Sequence, residues 1–274
     1  SSSANHIFDI TIGVGAESAL YATSNAQAAK KKNIYNQMAQ TLMGYDHTGS
    51  IQRFDEDGNI AAGGTKLDDV FFMNFSRLLT KDEVKKGSFQ LDLGVTPAYA
   101  QDGTVFGSRL QITDASGSDG YFVNSPAGEY GILYATASTH SNVLAANQSY
   151  AVGHIYYQAG IAVLSASIFD GEFGAKAATY ETGSIAKVLS GSNITASCDG
   201  LRNRFYNVQF NNTTELNSTI YFCRANHNDF NYSTNPTYLT GSKIRVKQNT
   251  FDTPVSYITT VGLYSADNEL LAVA

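Results

Sequence analysis

Tryptophan is absent from this 274-residue chain, charged residues make up only 15%, and cysteines number two. Two cysteines, Cys198 and Cys223, cannot build the multi-bridge framework that holds small secreted domains together. Both fall in strand-like segments, so one cross-strand disulfide and two buried free thiols are equal expectations. The scarcity of charge, well under the roughly 25% of an average globular protein, leaves the surface to Asn, Ser, Thr, Gln, Gly and small apolar groups. Such a surface suits packing against neighbours, because few charges must be desolvated on contact. The net charge is −6 and the pI is near 5.3, which lacks the basic footprint of a nucleic-acid-binding protein. The one basic run, Lys30-Lys31-Lys32, reads as the solvated face of a helix. No stretch reaches the roughly 18 apolar residues of a membrane helix. Ser1-Ser2-Ser3 carries no basic and apolar signal-peptide pattern, and Leu270-Leu271-Ala272-Val273-Ala274 reads like mid-strand, so a processed chain or a segment of a longer one is expected.

What is present is apolar and aromatic. Hydrophobic residues make up 43%, with 17 Tyr and 15 Phe, enough for a sizeable core. Aromatics favour pleated, half-buried surfaces. Most are expected to fill β cores. Tyr also serves interfaces, since its ring buries apolar area while its hydroxyl keeps a partner.

One clear helix is expected near the start. Ser24 and Gln27 have capping-box spacing, Ile34, Tyr35, Met38, Ala39, Leu42 and Met43 form one apolar face, and Gly44 stands where a terminating glycine belongs. Residues 51–60 read as a hairpin turning at Asp57-Gly58. Thr80 with Glu83, then Lys85-Lys86-Gly87, predicts one short helical turn. The remaining periodicity is that of strands: 6–14, 70–79, 88–93, 107–113, 121–124, 130–136, a hairpin of 150–157 with 161–169, then 205–210, 219–224, 243–246 and 256–264. Asp199-Gly200 and Asn235-Pro236 read as turns. The expected fold is mainly β: antiparallel, sandwich-like sheets with one N-terminal helix packed on a sheet and one short helical turn. A Gly-, Asp- and Ser-rich stretch predicts a soft division into a helix-containing region, residues 1–110, and a sandwich-like region, residues 111–274, within what can also be one continuous domain.

Motifs for chemistry are weak. Asp55, Asp57 and Asn59 alternate like a calcium loop, but Gly58 falls at position 4 and Lys66 stands where the twelfth-position Glu belongs. Gly13-Val14-Gly15 lacks the third glycine of a dinucleotide fingerprint. Cys223 and His227 have zinc-ligand spacing, but the further pair, Cys198 and Asp199, is remote. The pairs Asp68-Asp69 and Asp82-Glu83 do not invite glycosidase roles: strand neighbours point to opposite faces, and Asp82-Glu83 suits a first helical turn. No Gly-x-Ser-x-Gly elbow occurs. No cofactor and no catalytic residue is expected.

Whole segments carry a stronger signal. HIFDITIGV, KKKNIYNQMAQTLMGYDHTGSIQRFDEDGNI, FFMNFSRLLTKDEVKKGSFQLDLG and TTVGLYSADNELLAVA resemble a family of virion structural proteins of tailed bacteriophages, T4-like phages of marine and freshwater hosts including cyanophages. The resemblance runs from about residue 5 to the end. It implies a particle component that works by contact, without a catalytic residue set, and whose relatives extend past both ends of this chain.

The expectation is therefore a non-enzymatic structural subunit of the virion, partnered by copies of itself and other virion proteins, with no nucleic acid or membrane partner. The alternative is a host-surface, carbohydrate-binding module of a tail fibre or baseplate. Its partner would be a host glycan, and its candidate contact loop holds Phe230, Tyr232 and Tyr238. A polysaccharide hydrolase ranks below both.

Overall fold

The computed structural model describes residues 7–21, 26–58, 63–94, 109–114, 117, 119–136, 149–169, 185–191, 193–216, 218–226, 233–241, 243–244, 251 and 258–274. They fall in two compact units, residues 1–215 and 216–274. The expected division at 110/111 lies inside a strand, Arg109–Thr113, of one continuous sheet.

That sheet dominates the first unit. Its strands are β1 (Asp9–Val14), β2 (Asp69–Asn74), β4 (Gln90–Gly94), β5 (Arg109–Thr113), β6 (Phe122–Ser125), β7 (Gly128–Thr136), β8 (Ser149–Tyr156), β9 (Ile161–Ser165) and β10 (Phe205–Gln209). Their order is β1-β2-β9-β8-β7-β5-β4-β10, with β6 beside the first part of β7, and every pair is antiparallel. β3 (Glu83–Val84) pairs separately with β11 (Asn212–Thr213).

Two-residue alternation builds a core on each face. In β2, Phe71 and Met73 join Ile12, Leu91, Leu110 and Leu164 on one side, while Val70 and Phe72 face Tyr35 on the other. Residues from strands at both ends of the order share the first core, and the Phe8 ring lies 5.2 Å from that of Phe205 in β10. The two layers therefore come from one sheet curling over its own interior, not from two stacked sheets. α1 (Ala26–Leu42) covers the outer face, burying Tyr35, Ala39 and Leu42 as the periodicity predicts. Gly44, at φ +81°, ends it and donates to the Ala39 carbonyl. Ser24 lies outside the described residues.

Several expectations are corrected. Lys31 is not solvated. It lies on the buried stripe with Ala28 and Tyr35, and its ammonium donates to the Leu189 carbonyl. Residues 80–87 do not form a helical turn: Ser76–Leu78 make a 3-10 turn earlier in the chain, and Glu83 lies in β3. The hairpin near residue 51 has its arms at 54–56 and 65–67. The turn from Asp55 to Gly58 only begins its loop, and Ile60 lies outside the described residues.

Two further helices are present: α2 (Ile185–Gly191), where no element was expected, and α3 (Ile194–Arg202), where a strand-like segment and a turn were expected. Asn193 caps α3 by accepting from the Ala196 amide at 2.7 Å, and Ile194, Cys198 and Leu201 turn toward the inner core. Asp199-Gly200 is helical, not a turn, and Cys198 is in a helix, not a strand.

The second unit holds two ribbons, β12 (Leu239–Thr240) with β13 (Lys243–Ile244) and β14 (Gly262–Tyr264) with β15 (Leu270–Val273). The expected strand 219–224 is assigned to no strand and joins no ladder. Among the described residues of this unit, none is buried.

Candidate functional site

Among the described residues, four places concentrate chemistry: a polar knot under the outer face, a carboxylate cluster beside β3, a cavity lined by Asp68 and Asp69, and the exposed second unit.

The knot forms where the loop after α1 crosses β7 and β8. Strand alternation puts His154 and Tyr156 on the outer face, where Phe54 and Tyr130 close over them. His154 is fully buried. Its Nε2 lies 2.5 Å from the Asp55 carbonyl, and Nδ1 faces the Tyr156 hydroxyl at 3.4 Å. The Tyr130 hydroxyl donates to the Gly58 carbonyl at 3.0 Å, and Lys66 pairs with the buried Asp55 carboxylate. The lysine that spoils the calcium-loop pattern thus supplies the positive charge itself. Burial pushes Asp55 above the usual carboxylate range and lowers His154 to about 4.

This arrangement makes a pH prediction. An imidazole depressed in the folded state binds fewer protons than in the unfolded chain, where its pKa is about 6.5. Its contribution is complete above that value and is lost as pH falls toward about 4. Asp69, Glu83 and Asp114, raised by burial, act in the opposite sense. They are common to wild type and a His154→Gln variant. Urea denaturation between pH 6.5 and 4 should therefore show wild-type stability falling more steeply than that of H154Q, by up to ~3 kcal/mol. Parallel curves would show that His154 does not titrate in this window.

The carboxylate cluster is built around Lys86. Its ammonium pairs with Glu83 at 3.3 Å and with Glu129, and lies 4.7 Å from the Tyr121 ring centre. Glu83 is almost fully buried, with one carboxylate oxygen lacking a hydrogen bond, and desolvation raises its pKa. Beside it, buried Asp114 accepts from the amides of Gly87 (2.7 Å) and Phe89 (2.9 Å) and from the Tyr157 hydroxyl (3.1 Å). These bonds pin the turn after β3 to the end of β5 and to the residue that follows β8, and the Lys86–Glu129 pair ties it to β7. All but the local Lys86–Glu83 pair join separate chain segments, so the cluster acts as a clasp.

A cavity of about 540 Å³ opens between the turn after β1, the loop before β2 and α2. Asp68 and Asp69 both line it, because Asp68 precedes the strand and escapes its alternation. Arg53 holds both Asp68 oxygens at 3.0 Å, and the Ser18 hydroxyl donates to Asp69 at 2.7 Å. Among the described residues, no three His, Cys, Asp or Glu side chains are grouped to hold a metal ion, and no helix is long and apolar enough to cross a membrane.

The second unit differs in kind. Leu216, Ile220, Tyr221 and Phe222 are exposed, Phe222 at 94%, and so are Leu263, Tyr264, Leu270, Leu271 and Val273 of the β14–β15 ribbon. Tyr238, from the expected contact loop, is exposed in a 3-10 turn, while Phe230 and Tyr232 lie outside the described residues. Cys198 and Cys223 are free thiols, the first half-buried on α3 and the second exposed in this unit. The sequence missed the exposed apolar segment as a site because exposure belongs to the assembled chain and leaves no trace in composition.

No protein-family model matches this chain. No curated protein and no solved structure matches it.

Proposed function

We propose that this protein is a non-enzymatic structural subunit of a tailed-phage virion, acting through contacts with copies of itself and with other virion proteins. One observation carries the contact-based part of the reading: a 59-residue unit, 216–274, in which no described residue is buried and large apolar side chains face outward. Each such side chain gains roughly 1.5–3 kcal/mol on full burial. A two-stranded ribbon is only marginally stable alone in water. Such a unit reaches its stable form in an assembly, and apolar patches of this kind mark protein contacts. The virion part rests on the segment resemblance. Low charge and abundant Asn, Ser and Thr fit it, because closed arrays gather many weak contacts with little desolvation of charge.

Mass spectrometry of density-purified particles of a phage encoding this chain should detect it as a particle component. Its confinement to the soluble fraction of infected cells overturns the virion reading.

A further inference from the structure

We infer that residues 219–224 are a donor strand, which completes a β-sheet in a second copy of this chain by adding to an outer edge of that copy's β14–β15 ribbon. The inference rests on the structural-subunit reading and names its partner.

Residues 219–224, Thr-Ile-Tyr-Phe-Cys-Arg, have the composition of a strand, dense in β-branched and aromatic side chains. The structure places them in no ladder, and Ile220, Tyr221 and Phe222 are 74%, 75% and 94% exposed. Three consecutive apolar residues point to both faces of an extended chain. Laying one face on a surface would leave the other wet, whereas insertion into a sheet covers both. An apolar segment of strand composition that joins no ladder is what strand addition uses.

An acceptor exists in the same unit. β14 and β15 pair with each other from Gly262–Val273 to Tyr264–Leu270, and among the described residues neither has a second neighbour. Leu270, Leu271 and Val273 are more than half exposed. An open, apolar edge of this kind is a template for another strand.

Stoichiometry and charge select a second copy as the occupant. Among the described residues, each chain carries one such donor segment and one such open apolar ribbon, so copies of one chain satisfy each other in equal numbers and close head to tail. The unit 216–274 holds four basic residues, Arg224, Lys243, Arg245 and Lys247, and four acidic ones, Asp229, Asp252, Asp267 and Glu269. It is therefore neutral, and the whole net charge of −6 lies in residues 1–215. Copies repel one another through the first unit and meet without that penalty through the second.

The test uses the full chain with two separate variants, Tyr221→Pro and Phe222→Pro. Consecutive residues of a strand direct their N–H groups to opposite sides, so one of the two prolines must strike the ladder. Neither disturbs a hydrogen bond within the monomer, since the segment has no ladder there. Light scattering on a size-exclusion column should give an oligomer for wild type and the 29.5 kDa monomer for at least one variant, with the same thermal midpoint for the first unit. Hydrogen exchange by mass spectrometry should show the 219–224 amides slowed at least tenfold in the assembly and fully exchanging in the monomeric variant. A wild-type oligomer that survives both prolines, or one whose 219–224 amides exchange freely, overturns the donor strand and leaves the structural-subunit reading standing. A monomeric wild type overturns the donor strand and the self-association on which it rests, while detection of the chain in particles still decides the virion reading.

Discussion

Replacing Asp114 with alanine should lower the stability of the first unit by about 3–5 kcal/mol, measured as a fall in the urea midpoint with unchanged slope. The carboxylate is fully buried and accepts three hydrogen bonds, from Gly87 N–H, Phe89 N–H and Tyr157 O–H. Alanine leaves three donors without partners in a space sealed from water. Each unsatisfied group costs roughly 1–3 kcal/mol, offset in part by relief of the buried charge that pushes the Asp114 pKa upward. Tyr157→Phe removes one donor together with its share of the acceptor and should cost only about 1 kcal/mol. Equal losses from D114A and Y157F would show that the two backbone amides find other partners, and the clasp would not be what holds the turn after β3 to the sheet.

Gly153→Ala should be comparably damaging, lowering the thermal midpoint of the first unit by roughly 6–12 °C for a cost near 3 kcal/mol. The register from β7 to β8 shifts between Leu133 and Tyr134. Leu133 opposes Gly153 and Tyr134 opposes Ala151, which leaves Val152 as the extra residue of a bulge. At Gly153 the neighbouring strand approaches so closely that an added Cβ would overlap the Val163 carbonyl. Relief requires β8 and β9 to part along Gly153–Leu164 and His154–Val163. The control is Gly191→Ala, at the end of α2, where an added Cβ meets nothing within 4 Å. That substitution should be nearly neutral. A midpoint for G153A within a degree of wild type would mean that the bulge opens freely.

The two substitutions test different links of one chain. The bulge re-aims β8 so that His154 and Tyr156 face the outer core while Ile155 and Tyr157 face the inner one. The clasp at Asp114 then secures Tyr157, which places the inner layer beneath the β3 turn. Loss of either should also disturb the His154 knot. The stability difference between wild type and H154Q across pH 6.5 to 4 should therefore shrink in a Gly153→Ala background.

Much of the architecture was legible because it follows from local periodicity. The strongly apolar run at 70–74, alternation in 88–93, the helical stripe of Tyr35, Ala39 and Leu42, and the glycine at 44 each report their element without reference to distant residues. Lys31 was misread although its position was legible: it falls four residues before Tyr35, on the stripe itself. Its charge argued for solvent, and only the approach of α2 supplies the Leu189 carbonyl that satisfies the buried ammonium. α3 was hidden for a related reason. Asp199-Gly200 favours a turn locally, and packing of Cys198 and Leu201 on the inner core overrides that preference. The clasp was invisible because Glu83, Asp114 and Glu129 come together only through β3, β5 and β7.

By itself the sequence determined a mainly antiparallel β protein, low in charge, with one amphipathic helix laid on a sheet, because hydrophobic period and turn chemistry are local properties of the chain. Only the tertiary structure decided that one sheet closes over its own core, that the chain divides after Glu215, and that Ile220, Tyr221 and Phe222 are left facing water. Closure, division and exposure depend on which residues meet across long separations, and no local pattern of side chains encodes those meetings.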